Sequence, residues 1–389
     1  MIILSTAMPE ILITGLPAIL IAFASALIIT WYYIPKVIKV VRERHLEDKP
    51  GFHKIHKAEV PTLGGIGIFG GFIFGFLIGV DGYLPGLSYF TAAVVFLLFV
   101  GIKDDLVYLN PKKKFWGEMG SAILVAVFTN IHITNLHGFM GITDISVILS
   151  YVVTISLMLL IINSVNLIDG IDGLAASVGI IASVAFGIFF YFSGDYGYTV
   201  MAAALTGALV AFLRYNMSEG PRKIFMGDSG SLVIGFTLAV LAIRFNELVA
   251  AGGGVLNLKS APAISIGILI IPLFDTLRVM VLRLLAGKSI LIGDKRHVHH
   301  LLLRAGLSHR GATLYISLFN VFIIAIAFLL DSIGIFLLSL TLLVVCLIGV
   351  GVLLSFVRKK ESAARMTEFP SSSHDDAIKK QEPVEKALV

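Results

Sequence analysis

The chain has 389 residues, 57% of them apolar and 14% charged, with a mean hydropathy of +0.94. Soluble domains are about 45–50% apolar and about 25% charged, so these values exclude a soluble enzyme, leave no expectation of a nucleic-acid partner, and point to an integral membrane protein. The single cysteine, Cys346, rules out an internal disulfide and lies inside an apolar run, where it reads as a packing residue rather than a nucleophile.

In chain order, apolar runs long enough to be membrane helices fall at 11–34, 64–80, 88–102, 116–130, 146–163, 174–192, 198–213, 229–246, 261–280, 312–330 and 335–357. The first is longer than a signal-peptide core and has no basic stretch before it, so it reads as retained. Eleven spans place the two termini on opposite sides, and the basic residues decide which side is which. Seven Lys or Arg lie in 36–57, four in 103–114, three in 214–223, seven in 278–310 and seven in 358–386, so only Arg244 and Lys259 of the 30 fall elsewhere. Connections carrying the charge belong in the cytoplasm. The expected fold is therefore an all-α polytopic membrane protein of about eleven transmembrane helices, amino terminus outside and carboxyl terminus cytoplasmic. Residues 1–357 form one membrane domain, and 358–389, rich in polar residues, are expected to be a disordered cytoplasmic tail. Among the outer connections, "IHITNLHGFMGITDI" alternates apolar and polar residues around Gly138 and Gly141, the pattern of a small hairpin.

Five polar stretches fall at the cytoplasmic ends of spans: "HKIHKAEVPTLGG" (53–65), "GIKDDLVYLNPKKK" (101–114), "NSVNLIDGIDG" (163–173), "FMGDSG" (225–230) and "GDKRHVHH" (293–300). Ionisable groups in spanning segments are costly and mark cavities or partners, so one shared site on the cytoplasmic face is the economical reading. Asp104 and Asp105 are adjacent carboxylates that repel unless a cation lies beside them. Asn110 followed by Pro111 reads as an N-cap and first helical residue, which makes Lys112, Lys113 and Lys114 the start of a helix, either as membrane-surface anchors or as phosphate ligands. Asn163, Asn166, Asp169 and Asp172 recur every third residue. In a regular helix each step of three turns back about 60°, so the four cannot share a face, and Gly170 and Gly173 predict a break that turns their oxygens into one cavity. Asp228 lies between glycines at the start of a span, where backbone approaches a ligand closely. Such oxygen-only donors suit a hard divalent ion, Mg²⁺ with Mn²⁺ as a substitute, better than zinc. His297, His299 and His300 beside Lys295 and Arg296 read as donors to phosphate oxygens.

These stretches, with "KAEVPTLGGIGI", "NSVNLIDGIDGLA", "FMGDSGSLVIGF", "PLFDTLRVMVLRLLAGKSI" and "DKRHVHHLLLRAGLSHR", resemble in order and spacing the polyprenyl-phosphate N-acetylhexosamine-1-phosphate transferases. The last two are similar to the WecA and TagO branch rather than the MraY branch, whose phospho-MurNAc-pentapeptide transfer is the alternative within the family. The resemblance implies a multi-pass enzyme of the bacterial inner (plasma) membrane. It would pass a sugar-1-phosphate from a UDP-N-acetylhexosamine, UDP-GlcNAc by preference, to undecaprenyl phosphate, release UMP and start a cell-surface glycan. It places Asn166 and Asp228 at the metal, and Asp104 and Asp105 at the lipid phosphate as the catalytic pair. Lys57, Thr62, Asn163, Asp169 and Asp172 fall near the nucleotide and metal, and His297, His299 and His300 on the diphosphate. It leaves room for a homodimer. Two positions depart from the family: Tyr108 stands where many relatives have a further aspartate, and Glu118 where they have glutamine. A transporter is the competing class, since intramembrane carboxylates also line ion pathways, but it calls for polar groups near the midplane open to both sides, whereas these gather at one end.

Overall fold

The computed structural model describes residues 4–46, 60–80, 84–253, 256–288 and 296–368. Thirteen α-helices make up most of the described residues: α1 (Leu4–Glu43), α2 (Gly64–Gly79), α3 (Leu87–Val107), α4 (Pro111–Phe128), α5 (Val147–Ile168), α6 (Leu174–Phe192), α7 (Tyr196–Asn216), α8 (Asp228–Ala250), α9 (Ala261–Ile268), α10 (Ile270–Leu285), α11 (Val298–Arg304), α12 (His309–Leu329) and α13 (Ile335–Glu368). Seven of these, α1, α5, α6, α7, α8, α12 and α13, are long and apolar enough to cross a membrane, so the chain is a polytopic all-α membrane protein.

Local chemistry sets the helix ends. Asn110 caps α4, its side chain accepting from Lys112 N at 3.0 Å, with Pro111 in the first turn, as the sequence predicts. Ser146 and Ser308 cap α5 and α12 in the same way. One expected span is broken in the middle. Residues 261–280 do not form a straight helix but two, α9 and α10, bent by 84°. Pro272 explains the break: it has no N–H for the Ile268 carbonyl four residues back, and its ring crowds that carbonyl.

α8 is the central helix, buried without interruption over 229–243. Against it pack α3, α5, α6 and α2. Close approach of α1 and α2 depends on small residues: a Cβ on Gly75 would lie 2.5 Å from the Ala22 carbonyl oxygen. In a bilayer, where lipid is as apolar as leucine, such small-residue seams hold helices together by contact. On the side where few basic residues lie, β1 (Asn135–Phe139) and β2 (Ile142–Asp144) form the expected antiparallel hairpin. Glu247 ties it to α8 by accepting from Thr134 N and Thr134 Oγ1 at 2.8 and 2.7 Å.

At its far end α13 does not stop at 357 but continues to Glu368, into the stretch expected to be a tail. There Lys360 Nζ donates to the Ala305 carbonyl at 2.9 Å and Glu361 pairs with Arg304 at 2.7 Å, so the helix extension is clamped to the carboxyl end of α11. Residues 369–389 lie outside the described residues.

Candidate active site

The polar stretches come together around the amino end of α8. Asp105 accepts from Asp228 N at 2.7 Å and from Ser229 N at 3.0 Å, so both its oxygens hold the first turn of α8. Asp104 faces the other way, accepting from Leu109 N at 2.6 Å. α3 can approach this turn because residue 101 is glycine: a Cβ there would lie 2.5 Å from Ser229 N. The segment before α2 lies alongside, with Phe225 N donating to the Pro61 carbonyl and Gly64 N to the Phe225 carbonyl at 2.8 and 3.0 Å. This brings Thr62 beside Gly227, whose φ of +73° no side chain would adopt readily. Lys57 lies outside the described residues.

At the centre stands Lys114. Its ammonium is 2.7 Å from Asp228 Oδ2, 3.2 Å from Asp104 Oδ2 and 3.3 Å from Asn166 Oδ1. The Asn166 amide nitrogen in turn donates to Asp228 Oδ1 at 2.5 Å and to Ser231 Oγ at 2.8 Å. Two helices, α3 and α5, and the start of α8 therefore aim oxygens at a cation carried by α4. The sequence marks Lys114 only as one of three lysines. The signal that separates it is helical phase: Gly117, Glu118, Ser121, Ala122 and Val125 form the buried face of α4, and Lys114 lies one turn before them, while Lys112 and Lys113 are exposed.

The break between α5 and α6 is where the glycines place it. α5 ends at Ile168 and α6 begins at Leu174. Gly173 has φ +79° and donates its N–H to Asn216 Oδ1, while Asn216 Nδ2 donates to the Ile224 carbonyl at 2.9 Å. Asn216, which the sequence reading passes over, thus ties the loop 169–173 to the strand-like approach of "FMGDSG". Within that loop the two aspartates have opposite environments. Burial, reinforced by the charges of Asp228, Asp105 and Asp172, pushes the Asp169 carboxyl well above the usual carboxylate range. For Asp172 burial acts in the same direction but is outweighed by His309 and Lys223, and the carboxyl is held below that range; Lys223 Nζ is 2.6 Å from its Oδ2. Asn163 stays on α5 and donates to Glu118 Oε2 at 2.5 Å.

Of the two departures from the family pattern, Glu118 is buried within this network, while Tyr108 is 83% exposed and points away from it. The histidines differ among themselves: His297 and His299 are buried and His300 is half-buried. Burial, with the neighbouring histidines, lowers the His299 pKa to about 3, so this imidazole is neutral. Among the described residues no group of three or more His, Cys, Asp or Glu side chains has the arrangement of a metal site. What the centre offers is two carboxylates and an amide oxygen already gathered around a cation, a donor set that suits a hard divalent ion completed by phosphate oxygens.

These features define a polytopic helical membrane protein with a carboxylate and lysine centre at the ends of its helices. A family model described as glycosyl transferase family 4 matches residues 87–246, the stretch that holds Asp104, Lys114, Asn166 and Asp228. The chain is 32% identical over 300 residues to the undecaprenyl-phosphate alpha-N-acetylglucosaminyl 1-phosphate transferase of Escherichia coli O157:H7, covering 76% of this chain and 78% of that protein. To the Yersinia pestis protein of the same description it is 31% identical over 283 residues, 72% of this chain and 75% of the other. A probable undecaprenyl-phosphate N-acetylglucosaminyl 1-phosphate transferase of Bacillus subtilis (strain 168) is 30% identical over 301 residues, 76% and 80% of the two chains. The chain belongs to glycosyl transferase family 4, in agreement with the resemblance of its motifs.

Proposed function

We propose that the protein transfers N-acetylglucosamine 1-phosphate from UDP-N-acetylglucosamine to undecaprenyl phosphate, releasing UMP and leaving a lipid-linked pyrophosphoryl sugar. The observation that carries this reading is the convergence of Asp104, Asn166 and Asp228 on the Lys114 ammonium, in a chain whose relatives are described by that reaction. In the reaction an oxygen of the lipid phosphate attacks the phosphorus that bears the sugar, and the bond from that phosphorus to the bridging oxygen breaks, so that the oxygen leaves with UMP. Such a transfer depends on alignment and charge neutralisation more than on covalent help from the protein.

The roles we assign draw on position and on the resemblance of the motifs. Asp104, with one oxygen turned to Lys114, orients the lipid phosphate and accepts its last proton when one is present. Asp105 is committed to the first turn of α8 and acts by holding Asp228 in place. Lys114 neutralises charge on the transferring phosphoryl group. Asn166 and Asp228 would hold Mg²⁺, for which Mn²⁺ can stand in, and the ion would supply Lewis-acid stabilisation of the leaving phosphate. Thr62, Asn163, Asp169 and Asp172 serve the nucleotide, the motif resemblance adds Lys57 to them, and the histidine loop with His297, His299 and His300 takes the diphosphate.

The reading extends to topology. Adding α2, α3, α4 and the bent pair α9 and α10 to the seven long apolar helices gives eleven spans, with the basic connections and the site in the cytoplasm of a bacterial cell, the enzyme in its inner membrane, and a homodimer compatible with that placement. The deciding experiment supplies purified protein with undecaprenyl phosphate, Mg²⁺ and a panel of UDP-sugars and reads UMP release and labelled lipid. UDP-N-acetylglucosamine should be the preferred donor. No release with any donor overturns the reading, and turnover that survives thorough chelation removes the metal from it.

A further inference from the structure

The histidine loop is gripped from behind by a buried carboxylate. Asp275 lies on α10, just beyond the bend, and is 3% exposed. Its Oδ2 is 2.9 Å from His297 Nδ1, and its Oδ1 accepts from Val298 N at 3.0 Å and from Arg278 Nη2 at 2.9 Å. The same Arg278 nitrogen donates to the Arg296 carbonyl. An acid and a base one turn apart on α10 therefore fix three consecutive residues, 296–298, where the chain enters α11.

An ionised carboxylate only accepts hydrogen bonds, so His297 carries its proton on Nδ1 and turns Nε2 away from Asp275. The next link is geometric. The His297 ring lies parallel to that of His299, with 6° between the planes and 5.7 Å between centroids. His299 in turn abuts the loop 169–173 so closely that a Cβ on Gly170 would lie 2.5 Å from its Nε2. Contact thus runs from α10 through two imidazoles to the loop that bears Asp169 and Asp172. Asp275 and His299 also edge an apolar cavity lined by Ile168, Phe274, Phe319 and Leu353, where water offers a carboxylate little and protein partners are obligatory.

We propose that Asp275 is a positioning residue for the diphosphate of the sugar nucleotide: it sets the tautomer of His297 and holds the histidine loop against the loop 169–173 at the separation the ligand requires. The proposal rests on the reading of the histidine loop as the diphosphate-binding element. Asp275 touches no reacting atom. Its loss therefore acts on ligand grip, not on the lipid.

The test compares wild type, D275N, D275E, H297Q and the D275N/H297Q double variant. Calorimetry gives the affinities for UDP-N-acetylglucosamine and for UMP, steady-state assays give KM and kcat for each substrate, and thermal unfolding gives the folded state. D275N should weaken UDP-N-acetylglucosamine by about tenfold, the lower end of what losing the partner of a metal-bound histidine costs. Its KM should rise in proportion, while the KM for undecaprenyl phosphate stays unchanged and UMP, with one phosphate, is affected less. D275E should recover part of the loss, and the double variant should bind no worse than H297Q, because the two residues act as one unit.

A folded D275N that binds UDP-N-acetylglucosamine as wild type does, or equal losses for UDP-N-acetylglucosamine and UMP, or additive effects in the double variant, would overturn the proposal. If D275N does not fold, D275E and H297Q decide: both must weaken the sugar nucleotide more than UMP, and if either does not, the proposal fails. The two readings fail separately. A wild-type protein that turns over no UDP-sugar sinks the function, whereas a wild type that turns over beside a D275N that binds normally sinks Asp275 alone.

Discussion

At the scale of single residues, the loop 169–173 makes a prediction with two signs. Asp169 has a native pKa raised by burial and by the charges of Asp228, Asp105 and Asp172. Such a carboxyl favours the fold when protonated, and that contribution is lost as pH rises through the native pKa. Asp172 has a native pKa held down against burial by His309 and Lys223, so its contribution is present above the unfolded value and lost as pH falls through the native one. D169N should therefore raise the thermal midpoint of the ligand-free protein near neutral pH, and D172N should lower it. Both differences should shrink as the pH falls towards and below the ordinary aspartate range. A pH series of thermal unfolding in detergent checks this, and shifts of the same sign for both variants would remove the electrostatic account.

Lys114 makes a second prediction. K114M should lower turnover by about 10²-fold or more, the cost of removing one preorganised charge-stabilising donor. Mn²⁺, followed by its magnetic resonance signal, should bind at least as tightly, since the ammonium no longer shares the oxygens of Asp104, Asn166 and Asp228. Weaker Mn²⁺ binding would place the ion elsewhere. What the sequence conceals at this scale is pairing over distance. Asp105 and Asp228 look like two instances of one motif type, but the first holds the backbone of the second across 123 positions, and no local pattern records that.

At the scale of elements, the legible features are those that local chemistry decides. Asn110 and Pro111 start α4, Gly173 and its neighbours break the chain between α5 and α6, and the alternating run around Gly138 makes a hairpin. The bend between α9 and α10 was also written in the chain, in Pro272, but an unbroken apolar run hides it, because hydropathy counts side chains and takes no account of a missing N–H. The extension of α13 past 357 was not legible, since its polar residues look like a tail until Ala305 and Arg304 are brought beside them. One contact between elements is open to direct test. G101A inserts a methyl group against the backbone of Ser229, which neither helix can vacate without moving α3 from α8. Overpacking of this kind costs about 1–3 kcal/mol. The thermal midpoint should fall and activity with it, because Asp104 and Asp105 travel on α3. G120A, on a glycine whose nearest neighbour is 4.0 Å away, should do neither.

At the scale of the molecule, the separation of basic from nearly uncharged connections predicts a sidedness that labelling can check. Cys346 is 2% exposed, so replacing it with alanine gives a background in which single new cysteines report. Y108C should react with a membrane-impermeant reagent only after the cell is opened, and D144C should react in intact cells. The opposite pattern would invert the topology and move the site away from the cytoplasm. That several apolar helices cross a membrane could be read because bilayer thickness acts on composition. Which helix touches which could not, because in lipid the packing of α1 on α2 rests on small residues such as Gly75, and small residues occur on many faces.

The clamp at the end of α13 bears on how the enzyme is made. Asp104, Lys114, Asn166, Asp228 and Asp275 all precede it in the chain and are translated before residues 360 and 361. Until those two arrive, the carboxyl end of α11 lacks the Lys360 and Glu361 contacts that fasten it. The Lys114 centre draws only on α3, α4, α5 and α8, so it can form before the histidine helix is fastened. A chain truncated before residue 360 should keep Asp104, Lys114, Asn166 and Asp228 together while its histidine helix lacks the Lys360 and Glu361 contacts.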